Sequence, residues 1–97
     1  MHVISRKQLR EFAVRHPDAE SSLRAWFHEA QRAHWDTTAD IKRQYGSASI
    51  LKDNRVVFNI CGNKYRLVVK INYHAEIVYV RFVGTHADYA NIDAEVV

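Results

Sequence analysis

Six side chains between residues 64 and 89 are of types that handle phosphate and protons: Lys64, Arg66, Lys70, Arg81, His86 and Tyr89. A guanidinium offers a planar fork that matches two phosphoryl oxygens, and an ammonium adds a point charge. An imidazole takes or gives a proton near neutral pH, and a phenol donates one or polarises an oxygen. His86 and Tyr89 are three residues apart, so a helical turn puts them on one side. Cations that grip a phosphate, beside a histidine and a tyrosine, can cut an RNA chain next to that phosphate. Each residue also has a plainer reading. Strands often turn Lys and Arg to water, and a lone His that closes a strand is commonly a cap or a surface residue.

These residues must be carried on elements, and the hydrophobic period places them. His2-Val3-Ile4 reads as a short strand, and the Ser5 hydroxyl is expected to cap the following helix. That helix carries Leu9, Phe12, Ala13 and His16 on one side until Pro17 breaks it; Asp18 is expected to open the next. There, Leu23, Trp26, Phe27, Ala30 and Ala33 form a stripe that reads as core packing rather than base stacking. Thr37-x-x-Asp40 has the form of a capping box and Gly46 of a stop, which predicts a short third helix. From Ser47 the period falls to two. Residues 48–51, 55–60, 64–73 and 76–83 read as strands, joined by turns at Asp53-Asn54, Gly62-Asn63 and His74-Ala75. The segment 86–96 is expected to form a helical turn. Helices gathered before a run of strands predict an α+β fold, with the helices on one face of an antiparallel sheet and the other face open, concave and polar.

Alternation sorts the long strand. Tyr65, Leu67, Val69, Ile71 and Tyr73 should meet the helices, leaving Lys64, Arg66, Val68, Lys70 and Asn72 on the open face. In the next strand Tyr79, Arg81 and Val83 should share a face opposed by Val78, Val80 and Phe82. Burying an unpaired guanidinium is prohibitively costly, so Arg81 belongs on the open face, next to Arg66. Two such neighbours repel unless they share an anion. That anion is either a bound phosphate or a carboxylate from Glu76 or the acidic tail.

Charge distribution supports a polyanion on the sheet. Residues 55–86 hold Arg55, Lys64, Arg66, Lys70 and Arg81 against Glu76 alone, whereas the tail from residue 87 holds only Asp88, Asp93 and Glu95. A chain of 97 residues is expected to form one domain. No apolar run approaches the roughly 20 residues of a membrane span, and MHVISRKQLREF lacks a signal peptide's apolar centre. A lone Cys61 excludes an internal disulfide framework and suits a reducing compartment, so the cytoplasm is the expected location. The scattered histidines His2, His16, His28, His34 and His74 make no constellation with metal-ligand spacing, and no metal or cofactor is expected.

The blocks GNKYRLV and VRFVGTHADY, with the opening MHVIS and the run VVFNICGNKYRLVVKINY, resemble the HigB-type toxins of bacterial type II toxin–antitoxin modules. These are a branch of the RelE-like mRNA interferases. The resemblance covers nearly the whole chain and implies one RelE-like domain over residues 1–97, two N-terminal helices packed on one face of a curved antiparallel sheet. It implies an endoribonuclease that cleaves mRNA during translation on the ribosome. It also implies a HigA-like helix-turn-helix antitoxin, through which alone the toxin would reach operator DNA. Carried onto this chain, the motif positions are Lys64, Arg66, Lys70, Arg81, His86 and Tyr89.

The expected mechanism is metal-independent attack by the substrate's own 2′-hydroxyl on the adjacent phosphate. Arg66 and Arg81 would hold the phosphate, His86 would transfer protons and Tyr89 would assist; Lys64, Lys70 and Arg55 would bind the RNA backbone. The alternative is a non-catalytic RNA- or ribosome-binding module that blocks translation with the same basic sheet. A purely structural partner, its cationic face covered by an acidic antitoxin segment, is the third reading.

Overall fold

The computed structural model describes residues 1–97. The elements are β1 (His2–Ile4), α1 (Arg6–Arg15), a 3-10 turn (Pro17–Ala19), α2 (Glu20–Arg32), α3 (Thr38–Gln44), β2 (Ser49–Ile50), β3 (Arg55–Ile60), β4 (Tyr65–Asn72), β5 (Ile77–Thr85) and α4 (His86–Ala90). The strands form one sheet in the order β1-β5-β4-β3-β2. All pairings are antiparallel except β1 with β5, which is parallel. That parallel edge follows from the chain order. β1 precedes the helices, and the crossover through α1, α2 and α3 returns the chain to the far side of the sheet.

The helix-facing side carries the main core. Leu9 and Phe12 of α1, Leu23, Trp26, Phe27 and Ala30 of α2, Trp35 and Ile41 pack on Val56, Phe58, Ile60, Tyr65, Leu67, Val69, Ile71, Val78 and Val80. The apolar stripes on α1 and α2 are thus packing surface, as their spacing predicts. Trp26 meets Phe58 edge-on with ring centroids 5.4 Å apart, and Trp35 stacks on Phe58 at 6.0 Å. The Thr37 box is present: Asp40 Oδ2 accepts from the Thr37 amide at 3.1 Å and from the Asp36 amide at 2.9 Å. Those amides hold the Asp40 carboxyl below its ordinary pKa.

Several local expectations fail for identifiable reasons. Ser5 does not cap α1 with its side chain; it takes a left-handed backbone (φ 77°) and turns the chain from β1 into the helix. Asp18 does not cap α2, which starts at Glu20 after the 3-10 turn. Its carboxylate instead binds Lys64 and the Tyr65 hydroxyl, the latter at 2.6 Å, and ties the helix junction to β4. The Gly62-Asn63 turn is really a four-residue loop over 61–64, since Ile60 pairs with Tyr65 and positive φ falls on Cys61 and Gly62. Asp53 and Asn54 both have positive φ, as their hairpin turn requires.

The second face departs furthest from expectation. The β4–β5 register shifts between Val68 and Val69, pairing Val68 with Phe82 and Val69 with Val80. Arg81 is the extra residue of this bulge, and one added residue reverses the alternation beyond it. Val83 therefore packs with the helix-side core and Phe82 with the opposite face, the reverse of the simple alternation. That opposite face is not open. Val57 and Val68 are buried under Ala94, with Leu51, Phe82, Tyr89, Ile92 and Val97 around them, so α4 and the residues after it cover part of the sheet. The cover is close at Gly84, where an added Cβ would lie 2.5 Å from Phe82 Cζ and 3.1 Å from Asp88 Cβ.

Two stability measurements test this packing. Gly84→Ala should cost about 1–3 kcal/mol, because the Phe82 ring and the first turn of α4 must both move; an unchanged Tm would contradict the close approach. The second concerns Asp18, whose carboxyl lies below the ordinary 3.8, chiefly through the Lys64 hydrogen bond and then through Tyr65. A depressed pKa stabilises the fold above the unfolded value, and the contribution is lost as pH falls through the folded one. Asp18→Asn should therefore lower Tm at neutral pH, with the gap to wild type closing as pH falls below 3.8 and through the lowered folded value. A gap independent of pH would show that the charge does not matter.

Candidate active site

The site is built where β5 runs into α4. Thr85 and Asp88 form a second capping box: Thr85 Oγ1 accepts from the Asp88 amide at 3.1 Å, and Asp88 Oδ2 accepts from the Thr85 amide at 3.2 Å. The Thr-x-x-Asp signal is the same one that marks α3, and it was available here in the sequence. It starts a five-residue helix at His86. His86 is exposed on the first turn, and Tyr89, one turn on, is half-buried against the Val57–Val68 cluster. The covered patch of sheet thus orients the tyrosine and leaves the histidine in solvent.

Arg66 pairs across the sheet with Gly84, two residues before His86, so it flanks the start of α4. Its Nη1 donates to the Asn63 carbonyl at 2.8 Å and to the Tyr65 carbonyl at 3.3 Å, and no carboxylate pairs with it. Arg66 and Arg81 are not cross-strand neighbours: Phe82, the partner of Val68, intervenes. Along the strands they lie roughly 7 Å or more apart.

Arg81 converges instead with Arg55. Arg55 Nε and Nη2 donate to the Val97 main-chain oxygen at 3.0 and 2.8 Å, and Arg81 Nε donates to the same oxygen at 3.2 Å. Two guanidiniums on one acceptor make a strong oxygen-binding site. Arg55 is 7% exposed, which corrects its reading as an open RNA contact. Sequence alternation did not reveal this pair, because it depends on the bulge at Arg81 and on the path of residues 91–97. Lys70 is exposed in the row Arg55–Lys70–Tyr79 across β3, β4 and β5 and has no ion-pair partner. Lys64 stands apart, held by Asp18 at the rim on the helix side, with its ammonium 5.5 Å from the Tyr65 ring. Asp18 raises the pKa of both Lys64 and Tyr65.

The acids expected to neutralise the arginines are engaged elsewhere. Asp88 caps α4, Asp93 Oδ1 accepts from the Glu95 amide at 3.0 Å, Glu95 pairs with Lys52 at 3.2 Å, and Glu76 lies 3.5 Å from His34. No three His, Cys, Asp or Glu side chains converge as a ligand set. The arrangement brings together Arg66, His86 and Tyr89 at one end of the sheet and Arg81, Arg55 and Lys70 further along it. Chemically, this is a cationic strip with an imidazole and a phenol at one end.

Comparison with known proteins bears on what such a strip serves. Residues 19–92 match the family model for HigB_toxin, the RelE-like toxic component of a toxin–antitoxin system. The chain is 29% identical over 91 residues to the mRNA interferase toxin HigB of Escherichia coli (strain K12), an alignment spanning 92% of this chain and 88% of that protein. The mRNA interferase HigB proteins of Escherichia coli O157:H7 and Shigella flexneri align to the same extent. The family match takes in every element from α2 to α4, and with them Arg55, Lys64, Arg66, Lys70, Arg81, His86 and Tyr89. The chain belongs to the HigB family of RelE-like toxins, the toxic components of toxin–antitoxin systems.

Proposed function

We propose that this toxin is an endoribonuclease that cuts mRNA, and that it does so on the translating ribosome. The observation that carries this reading is the pairing of Arg66, a cation with no carboxylate partner, with Gly84, two residues before the exposed His86 that opens α4. The relatives named as mRNA interferases support it. Residues 1–97 would act as one unit, in the cytoplasm, opposed by a HigA-like antitoxin that alone contacts operator DNA.

In the proposed reaction the 2′-oxygen forms a bond to phosphorus while the bond from phosphorus to the 5′-oxygen breaks. The products are a 2′,3′-cyclic phosphate and a 5′-hydroxyl. One proton leaves the attacking hydroxyl and one reaches the departing oxygen; His86 is assigned to proton transfer, and Tyr89 orients it or shares the task. Arg66 stabilises the charge that builds on the phosphorane. Arg81 and Lys70 hold the neighbouring backbone, whereas Arg55 acts from beneath by fixing Val97. Lys64 has a smaller part, since Asp18 already occupies its charge. The residues gathered here are cations, an imidazole and a phenol, a set suited to this metal-free route. DNA would be bound but not cut, for want of the 2′-hydroxyl.

Induction of the chain in bacteria, with mapping of 5′-hydroxyl RNA ends, tests the reading. New ends inside translated messages should appear, and His86→Ala should reduce them about 10²–10⁴-fold. Arg66→Ala should reduce them about 10²–10³-fold with Tm preserved. Growth arrest without new ends would overturn the nuclease in favour of a toxin that blocks translation by binding alone.

A further inference from the structure

Beyond Arg81 the cationic strip opens into a groove of about 600 Å³ at the far end of the sheet from His86. Its walls are the ends of β4 and β5 and the turn before β3, with Asn54, Lys70, Asn72, His74, Tyr79 and Arg81 among the lining residues and no carboxylate. The volume lies within the usual range for small-ligand sites. Lys70 and Tyr79 are paired across the strands and so share one face, an ammonium beside a half-exposed ring. The Asn72 amide is held in place because its Oδ1 accepts from the Ala75 amide at 2.9 Å, which leaves its two N–H donors unpartnered. The turn carrying Asn54 is fixed in turn, its carbonyl accepting from the Ile71 amide at 2.8 Å.

We propose that this groove is a subsite for one unpaired nucleotide of the RNA, flanking the position that is cut. The inference rests on the ribonuclease reading above for the identity of the polymer. A base stacks on Tyr79, Lys70 and the free edge of Arg81 take its phosphate, and the Asn72 amide donates to acceptors on the base edge. Lys70 lies four steps along β4 from Arg66, roughly 13 Å, a span that a few unstacked nucleotides bridge. An acidic peptide would use the two cations equally well, but it has no use for a flat ring beside a fixed amide donor. Those two groups favour a base.

The test uses the whole protein and short 2′-O-methyl oligonucleotides of each base, which cannot be cut because the attacking hydroxyl is blocked. Tyr79→Ala should weaken binding about tenfold and Tyr79→Phe should restore it, with thermal melts showing both variants folded. Lys70→Ala should lower the slope of log affinity against log salt by about one. Asn72→Ala should flatten the preference among bases and change the bases found beside mapped cuts in cells. Binding and cut-site preference unchanged in Tyr79→Ala and Asn72→Ala would overturn the subsite while leaving the nuclease intact. Unchanged RNA behaviour with loss of rescue by the antitoxin would also overturn it and reassign the groove to a protein partner. Tyr79-dependent binding by a wild type that makes no cuts would support the subsite and discard the enzyme instead.

Discussion

The structure depends on β4 being apolar on both faces at its centre. Leu67, Val68 and Val69 are consecutive and all fully buried, so the sheet needs a cover on each side. Burying a valine or leucine is worth roughly 1.5–3 kcal/mol, enough that neither face can be left to water. The helices supply one cover. α4 and the segment after it supply the other, and this second requirement is what positions the chemistry. Tyr89 sits on Val57 and Val68 because that patch must be covered, and His86 is carried to the rim by the same short helix.

Most of the first cover was legible in the sequence. The i, i+3, i+4 stripes on α1 and α2 announce packing surfaces, the shift to a period of two marks the strands, and the Thr37 box starts α3 where it should. What could not be read is how the chain resolves competing local signals. Ser5 and Asp18 both look like helix caps, yet Ser5 serves a backbone reversal and Asp18 is taken by Lys64 and Tyr65, distant in sequence. A capping propensity worth about 1 kcal/mol yields to a tertiary contact that satisfies a tyrosine hydroxyl and a lysine together.

The second cover was nearly invisible, and the reason is a single residue. Strict alternation through β5 puts Arg81 and Val83 on one face and Phe82 on the other; the bulge at Arg81 sends Val83 to the helices and Phe82 to the opposite side. Nothing in the residue types at 79–83 announces a bulge. The pairing of Arg66 with Arg81 fell with it, and Arg55 took the place of Arg66 as partner of Arg81. The candidate site was nonetheless legible in outline, because Arg66, His86 and Tyr89 depend on the end of β5 beyond the bulge, where Thr85-x-x-Asp88 fixes the geometry locally.

The same bulge explains how this sheet keeps its cations available. A guanidinium at a regular position in the row of Val68 would sit over the buried patch and need a carboxylate to be tolerated there. Displaced into a bulge, Arg81 reaches the edge of that patch, where the Val97 main-chain oxygen accepts from its Nε and the outer N–H groups of the guanidinium are left without a partner. The tail's carboxylates could have cancelled that charge, but each is held in a local contact, in the α4 cap, within the Asp93 turn or on Lys52. A protein built only for stability would gain from letting them pair with Arg66 and Arg81. A net positive strip retained beside unengaged donors is the arrangement that leaves binding energy for an anion from outside the chain.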